Sequence, residues 1–253
     1  MTKNLFLIAS PILAAILVFV VSLTFSGCVG VEFSGVGAVL GEGDAVTKEY
    51  DAPGYTAVEI RGEFAVKYSS APSDKVVLEA REDLIPHLSV TMEGDRLIVD
   101  NTEMPVAAGN NGMPILRLST PDLKELHIMG VATMDEADTI KGDSFTLSIT
   151  GVGDLELPLE VEKLDVNVGG VGDIVLRGTA ANADIRAAGV ISLNASELKT
   201  KNTVVNIPGM GDVSIDCSDT LAVDIVGAGS LEYRGDPTIT RSNLGMGSIS
   251  KLE

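Results

Sequence analysis

Beyond residue 120, apolar and polar side chains alternate on either side of recurring glycine turns. Leu147 and Ile149 precede Gly151, and Leu155 and Leu157 follow it. Val166 and Val168 precede Gly170, with Ile174 and Leu176 after it, and Val205 and Ile207 precede Gly209, with Val213 and Ile215 after it. A period of two puts one set of side chains on one face of an extended chain, so each stretch reads as a strand with one buried face. The turns repeat as well: Gly-Val-Gly-Asp at Gly151 and Gly170, Gly-Met-Gly-Asp at Gly209, Gly-Ala-Gly-Ser at Gly227 and Gly-Met-Gly-Ser at Gly245. Degenerate copies are Gly130-Val131-Ala132 and Ala187-Ala188-Gly189. Copies starting at residues 130, 151, 170, 187, 209, 227 and 245 recur every ~20 residues, a spacing that signals a solenoid.

Such strands cannot satisfy their backbone groups alone. Stacking each coil on the one before pairs them in parallel, about 4.8 Å apart. The pattern therefore predicts an all-β, parallel β-helix (β-solenoid) with coils of about 20 residues, filled by rows of Val, Ile and Leu. Both glycines of each turn share the parity of the buried residues, which places them where the wall bends and the interior has no room for a Cβ. The N-terminal half reads as a looser version of the same pattern, with strands at Ala57–Ile60, Gly62–Val66, Lys75–Ala80 and Arg96–Val99. One short helical turn is expected over Arg81–His87, and a loop over residues 103–114. Three segments result: a leader at 1–27, a linker or first partial coil at 28–47, and the solenoid at 48–253.

The leader has Lys3 at its start, an apolar run from Leu5 to Phe25, and the ending Ser26-Gly27-Cys28. That is the layout of a signal peptide, and Cys after Ser-Gly resembles the lipobox of prokaryotic lipoproteins, which makes Cys28 the lipidation site. The run is also long enough to be an uncleaved membrane helix. Either way the rest of the chain lies outside the cytoplasm, anchored to the cell membrane or outer envelope. The formal net charge of −18 repels phosphate backbones and excludes nucleic acid as a partner. With Cys28 lipidated, Cys217 is left alone, so no disulfide framework is expected.

The repeated turns, the lead-in Tyr55-Thr56-Ala57-Val58-Glu59-Ile60 and the ending Leu231-Glu232-Tyr233-Arg234-Gly235-Asp236-Pro237 resemble the head GIN domain family of auto-transporter adhesin heads, over roughly residues 35–253. The resemblance implies a single-stranded right-handed β-helix on a cell-surface or periplasmic protein, often a lipoprotein. It implies no catalytic residues. It also implies a frequent Ser at the middle of the turn, and here this chain departs: the residues are Val131, Val152, Val171, Met210, Ala228 and Met246, with Ala188 in the degenerate copy.

Strand parity points that middle column outward, so stacked coils would display an apolar ladder. A contiguous exposed apolar stripe marks a partner surface, here for a second copy of the chain or an envelope protein, with a surface glycan as a further partner class; the alternative is that a loop or the N-terminal segment covers it, or that the tight turn tucks the side chains in. Beside it, Asp154, Asp173 and Asp212 form a carboxylate row, continued by Ser230 and Ser248, and are weak candidates for calcium; the spacing does not match the calcium-binding nonapeptide repeat, and Asp after a glycine turn more often bonds its own backbone. His87 and His127 lack metal-ligand neighbours, and no nucleophile elbow, phosphate loop or zinc-protease motif occurs. No cofactor is expected. Asn194-Ala195-Ser196 fits a glycosylation acceptor. The function read from the sequence is a non-enzymatic adhesion, binding or envelope-scaffold module; the alternative is a polysaccharide-active β-helix enzyme.

Overall fold

The computed structural model describes residues 45–103 and 112–252. The alternating stretches are strands, and seventeen of them join in one sheet. In chain order these are β1 (Ala45–Asp51), β2 (Ala57–Arg61), β3 (Glu63–Ser69), β4 (Lys75–Arg81), β5 (Ser89–Glu93), β6 (Arg96–Asp100), β7 (Ile115–Ser119), β8 (Glu125–Ile128) and β9 (Val131–Ala137). Then come β10 (Ile140–Ile149), β11 (Val152–Val168), β12 (Val171–Ala187), β13 (Val190–Ile207), β14 (Met210–Ile225), β15 (Ala228–Arg234), β16 (Thr238–Leu244) and β17 (Ser248–Lys251). The short helical turn is a 3-10 turn at Ile85–His87.

From β8 onward all pairing is parallel, each strand lying on the one about a coil earlier. One file of paired residues runs Val131, Val152, Val171, Val190, Met210, Ala228. On the other arm of the coil, Leu126, Leu147, Val166, Ile185, Val205 and Val223 stack in the same way, and every one of them is buried. The fold is thus a parallel β-solenoid with a single continuous core. The long strands turn a corner where parity slips by one: Val161 and then Leu164 face inward, as do Ala180 and Ala183 in the next coil, with Glu162 and Ala181 left out of the register.

Two expectations change. The degenerate coil is in a different phase from its sequence match. Gly189, not Ala187, lies on Gly170, Val190 pairs with Val171, and Ile191 takes the second glycine's place. The slack is taken up by a bulge where Val175 pairs with Asn194 but Arg177 with Glu197. The two glycines also have different jobs. The second faces inward as expected, and where it is replaced, by Ala132 or Ile191, the side chain is buried. The first is demanded by the neighbouring coil: a Cβ on Gly130, Gly151, Gly170, Gly189, Gly209 or Gly227 would fall on backbone oxygens of the turn before it. At Gly153 and Gly172 a Cβ would first meet isoleucine side chains, whereas at Gly211 and Gly229 it would fall on the backbone oxygens of Ile191 and Gly211, so in the later coils the second glycine meets the same demand as the first.

The N-terminal part is a coil with a cap. β2 and β3 stack on β8 and β9 in parallel, and β6 and β7 lie on their other side, also in parallel. Beyond these, β5 pairs with β6, and β1 and β4 extend β7, all antiparallel. β1 begins at Ala45, inside the segment expected to be a linker or partial coil, and it is a strand of this cap. Cys28 and the leader lie outside the described residues.

Candidate partner surface on the glycine turns

The stacked first glycines bring successive turns into backbone contact and leave a file without side chains. Two outward columns border it. The residues after the glycines are Val131, Val152, Val171, Val190, Met210, Ala228 and Met246; those before are Met129, Thr150, Gly169, Ala188, Pro208 and Val226. Each turn is tied to the last by one repeated bond. Val152 N–H donates to Gly130 O at 2.7 Å, Val171 to Gly151 at 2.9 Å, Val190 to Gly170 at 3.0 Å, Met210 to Gly189 at 2.9 Å, Ala228 to Gly209 at 3.0 Å and Met246 to Gly227 at 3.1 Å. Their side chains therefore stand in register on a wall held by its own backbone.

The columns are apolar and open. Among the described residues the exposed large apolar side chains are Met129, Val152, Val190, Val204, Met210, Val226 and Met246. All but Val204 stand on this edge. Met210 is 57% and Met246 87% exposed, so the turn does not tuck them in. Of the residues singled out in the sequence, Val131, Val171 and Ala228 are half-buried and Val152 is exposed. Ala188 is exposed, but in the column before the glycines; Val190 holds the place assigned to it. Sequence reasoning missed Met129 and Val226. The signal was available, since each directly precedes the first glycine of a turn.

A polar row flanks the strip: Asp154, Asp173, Ser192, Asp212 and Ser230 pair coil to coil. Asp212 accepts hydrogen bonds from Ser230 N–H at 3.1 Å and Ser230 Oγ at 2.5 Å. Ser192 separates Asp173 from Asp212, so the three carboxylates do not converge, and no group of three or more His, Cys, Asp or Glu fit to hold a metal occurs among the described residues. Partial burial, then the like charges of Asp173 and Asp135, push the Asp154 carboxyl above its ordinary 3.8. A raised folded value means the ionised form is the one the fold disfavours, so the cost is present at neutral pH and vanishes below 3.8. Asp154→Asn should therefore melt higher than the parent at pH 7, and the gain should disappear in melts below pH 3.8.

His127 faces outward, half-buried, with Nε2 3.2 Å from Glu125 Oε2, and His87 ends the 3-10 turn. Cys217 is a free, fully buried thiol against the carbonyls of Lys201 and Thr220. Asn194 sits at the bulge of β13 and accepts hydrogen bonds from Ser196 N–H and Oγ.

The family model described as "putative auto-transporter adhesin, head GIN domain" matches residues 54–237. The chain belongs to the head GIN domain family. Its fold is shared by a "putative adhesin" from Bacteroides fragilis at 22% identity, covering 83% of this chain and 97% of that one with a TM-score of 0.74. A "putative adhesin" from Parabacteroides merdae matches at 19% identity, 85% and 99% coverage and a TM-score of 0.61. A "putative lipid binding protein" from Parabacteroides distasonis matches at 20% identity, 84% and 98% coverage and a TM-score of 0.61. No curated protein matches the sequence. The head GIN assignment makes the chain an adhesin-like solenoid, and the descriptions of the family and of these structures name adhesins and a lipid-binding protein rather than enzymes.

Proposed function

We propose that this head GIN protein is an extracytoplasmic binding module, tethered to a membrane by residues 1–28, that contacts its partner through the apolar strip on the glycine turns and so serves adhesion or envelope scaffolding. One observation carries the reading: nearly all of the large exposed apolar side chains among the described residues lie on one edge of the solenoid. Water-exposed apolar surface is dispersed on most monomers, and a contiguous strip with a polar border is the layout of an interface. Its members are aliphatic, without aromatic rings, which fits an apolar protein surface better than a glycan. The apolar leader ending in Ser26-Gly27-Cys28 supports the tether, by lipidation of Cys28 or as an uncleaved helix.

A photo-crosslinking residue placed at Val152, Val190 or Met210 in the full chain, expressed in cells, should form adducts, whereas the same residue at the outward positions Glu156 and Arg186 should form few. Met210→Asp together with Met246→Asp should suppress the adducts at Val190 without lowering the amount of folded protein. Equal crosslinking from the strip and from Glu156 and Arg186 would remove the strip as the contact surface.

A further inference from the structure

The glycine-turn strip gathers the accessible sulfur of the solenoid. Among the described residues the methionines are Met92, Met113, Met129, Met134, Met210 and Met246. Three are exposed, Met129 at 58%, Met210 at 57% and Met246 at 87%, and all three stand on the strip. Met134 is 1% exposed and lies in the core, while Met92 and Met113 are half-buried. Cys217, the one cysteine among the described residues, is fully buried.

Shape does not demand methionine at these places. Other coils hold Val131, Val152, Val171, Val190 and Ala228 after the first glycine, and Thr150, Ala188, Pro208 and Val226 before it. What separates methionine from valine at an open position is the thioether, because divalent sulfur accepts an oxygen atom from a peroxide. The three are also spread along the axis. Met129 belongs to the turn of Gly130, Met210 to that of Gly209 and Met246 to that of Gly245. At about 4.8 Å per coil they stand about 20 Å and about 10 Å apart, so a polar group on each interrupts the strip along its whole length.

We infer that Met129, Met210 and Met246 are modification sites at which hydroperoxides oxidise the strip and keep its partner from binding. The sulfur lone pair attacks one peroxide oxygen. An S–O bond forms as the O–O bond breaks, and the transferred OH gives its proton to the departing oxygen, which leaves as water or an alcohol. Sulfur loses two electrons and the peroxide gains them. A thiol-dependent sulfoxide reductase reverses the change: two thiols become a disulfide and the oxygen leaves as water. The sulfoxide is polar, and pressing it unpaired against an apolar protein surface weakens binding on the order of tenfold at each site. A bound partner covers the thioethers, so oxidation acts on the free strip. This regulation rests on the contact proposed for the strip above.

The test uses the full chain in detergent with the photo-crosslinking residue at Val190, which lies beside Met210 in the stack. The protein is oxidised with hydrogen peroxide, cleared of it by catalase, and photolysed with envelope membranes from cells that lack this protein. Peptide mass spectrometry should find one added oxygen on each of the three exposed methionines, gained at least about tenfold faster than on Met134. Adducts should fall at least about tenfold, and methionine sulfoxide reductases with a dithiol should restore them. A chain carrying Met129→Leu, Met210→Leu and Met246→Leu keeps the apolar bulk without the sulfur, so its adducts should form and persist through the peroxide. Three sulfoxides with undiminished adducts overturn the proposal. So do thioethers that react no faster than Met134, and so does a loss that the leucine variant shares. Untreated protein whose Val190 adducts are no more abundant than those from Glu156 and Arg186 removes the strip as the contact surface and this regulation with it, a failure told apart from the others because it shows before any oxidant is added.

Discussion

Gly170→Ala should lower the melting temperature of this protein by on the order of 10 °C, while Gly169→Ala, one residue earlier, should leave it unchanged or raise it slightly. The contrast isolates the requirement of the stack. A Cβ on Gly170 falls on the carbonyl oxygen of Gly151, far inside van der Waals contact, and the nearest atoms are all backbone. That backbone is held in turn by the bond from Val171 N–H to Gly151 O. A flexible side chain could swing away, but here two coils must separate, and overpacking that moves backbone costs about 3 kcal/mol or more. A Cβ on Gly169 meets nothing closer than Ile149 O at 3.9 Å, and Thr150, Ala188 and Pro208 already occupy the same column. There the lost freedom of the unfolded chain is the main effect, about 0.4–1 kcal/mol in favour of the fold. Thermal melts followed by circular dichroism decide it; equal losses in the two variants would show that the first glycine is no more constrained than its neighbour.

The second large effect is expected at Asn101. Among the described residues the glycine file begins at Gly62, and the bonds of Glu63 on the side away from Gly130 go to a side chain instead of another turn. Asn101, only 4% exposed, meets them with a side-chain amide that imitates a strand neighbour. Glu63 N–H donates to Asn101 Oδ1 at 2.8 Å, and Asn101 Nδ2 donates to Glu63 O at 2.7 Å. Gly62 is again glycine because its Cβ would overlap this amide. Asn101→Leu keeps the volume but strands one donor and one acceptor, at a cost of about 1–3 kcal/mol. Asn101→Asp keeps the acceptor, loses the donor and sets a carboxylate against Glu63 O. Its loss should therefore be at least as large at pH 7 and should shrink on acidification, when the protonated acid can donate again. Urea unfolding of both variants across pH measures this, and a leucine variant as stable as the parent would show that water replaces the amide at no cost.

Asn101 also shows where sequence reasoning stops. The repeat after residue 120 was legible because its signal is local: parity within each strand and a glycine turn at a near-constant interval. The apolar middle column was legible for the same reason, since outward parity is a property of neighbouring residues. The phase of the coil around Gly189 was not, because Ala187-Ala188-Gly189 and Gly189-Val190-Ile191 match the repeat about equally well. Only contact with Gly170 decides between them, by requiring a residue without a Cβ where the turns touch.

The chain's own order of residues thus determined that it folds as a β-solenoid, how long each coil is, which side chains enter the core and to which family it belongs. The tertiary structure decided that the first glycine is required in every coil and the second only in the later ones, that Met129 and Val226 join the outward ladder, and that the Asn101 amide meets the bonds of Glu63 where the file of turns begins. Periodicity is written by residues two apart along one strand, whereas these features arise between residues separated by a full coil or more. Their steric and hydrogen-bond demands exist only once one turn lies on the next.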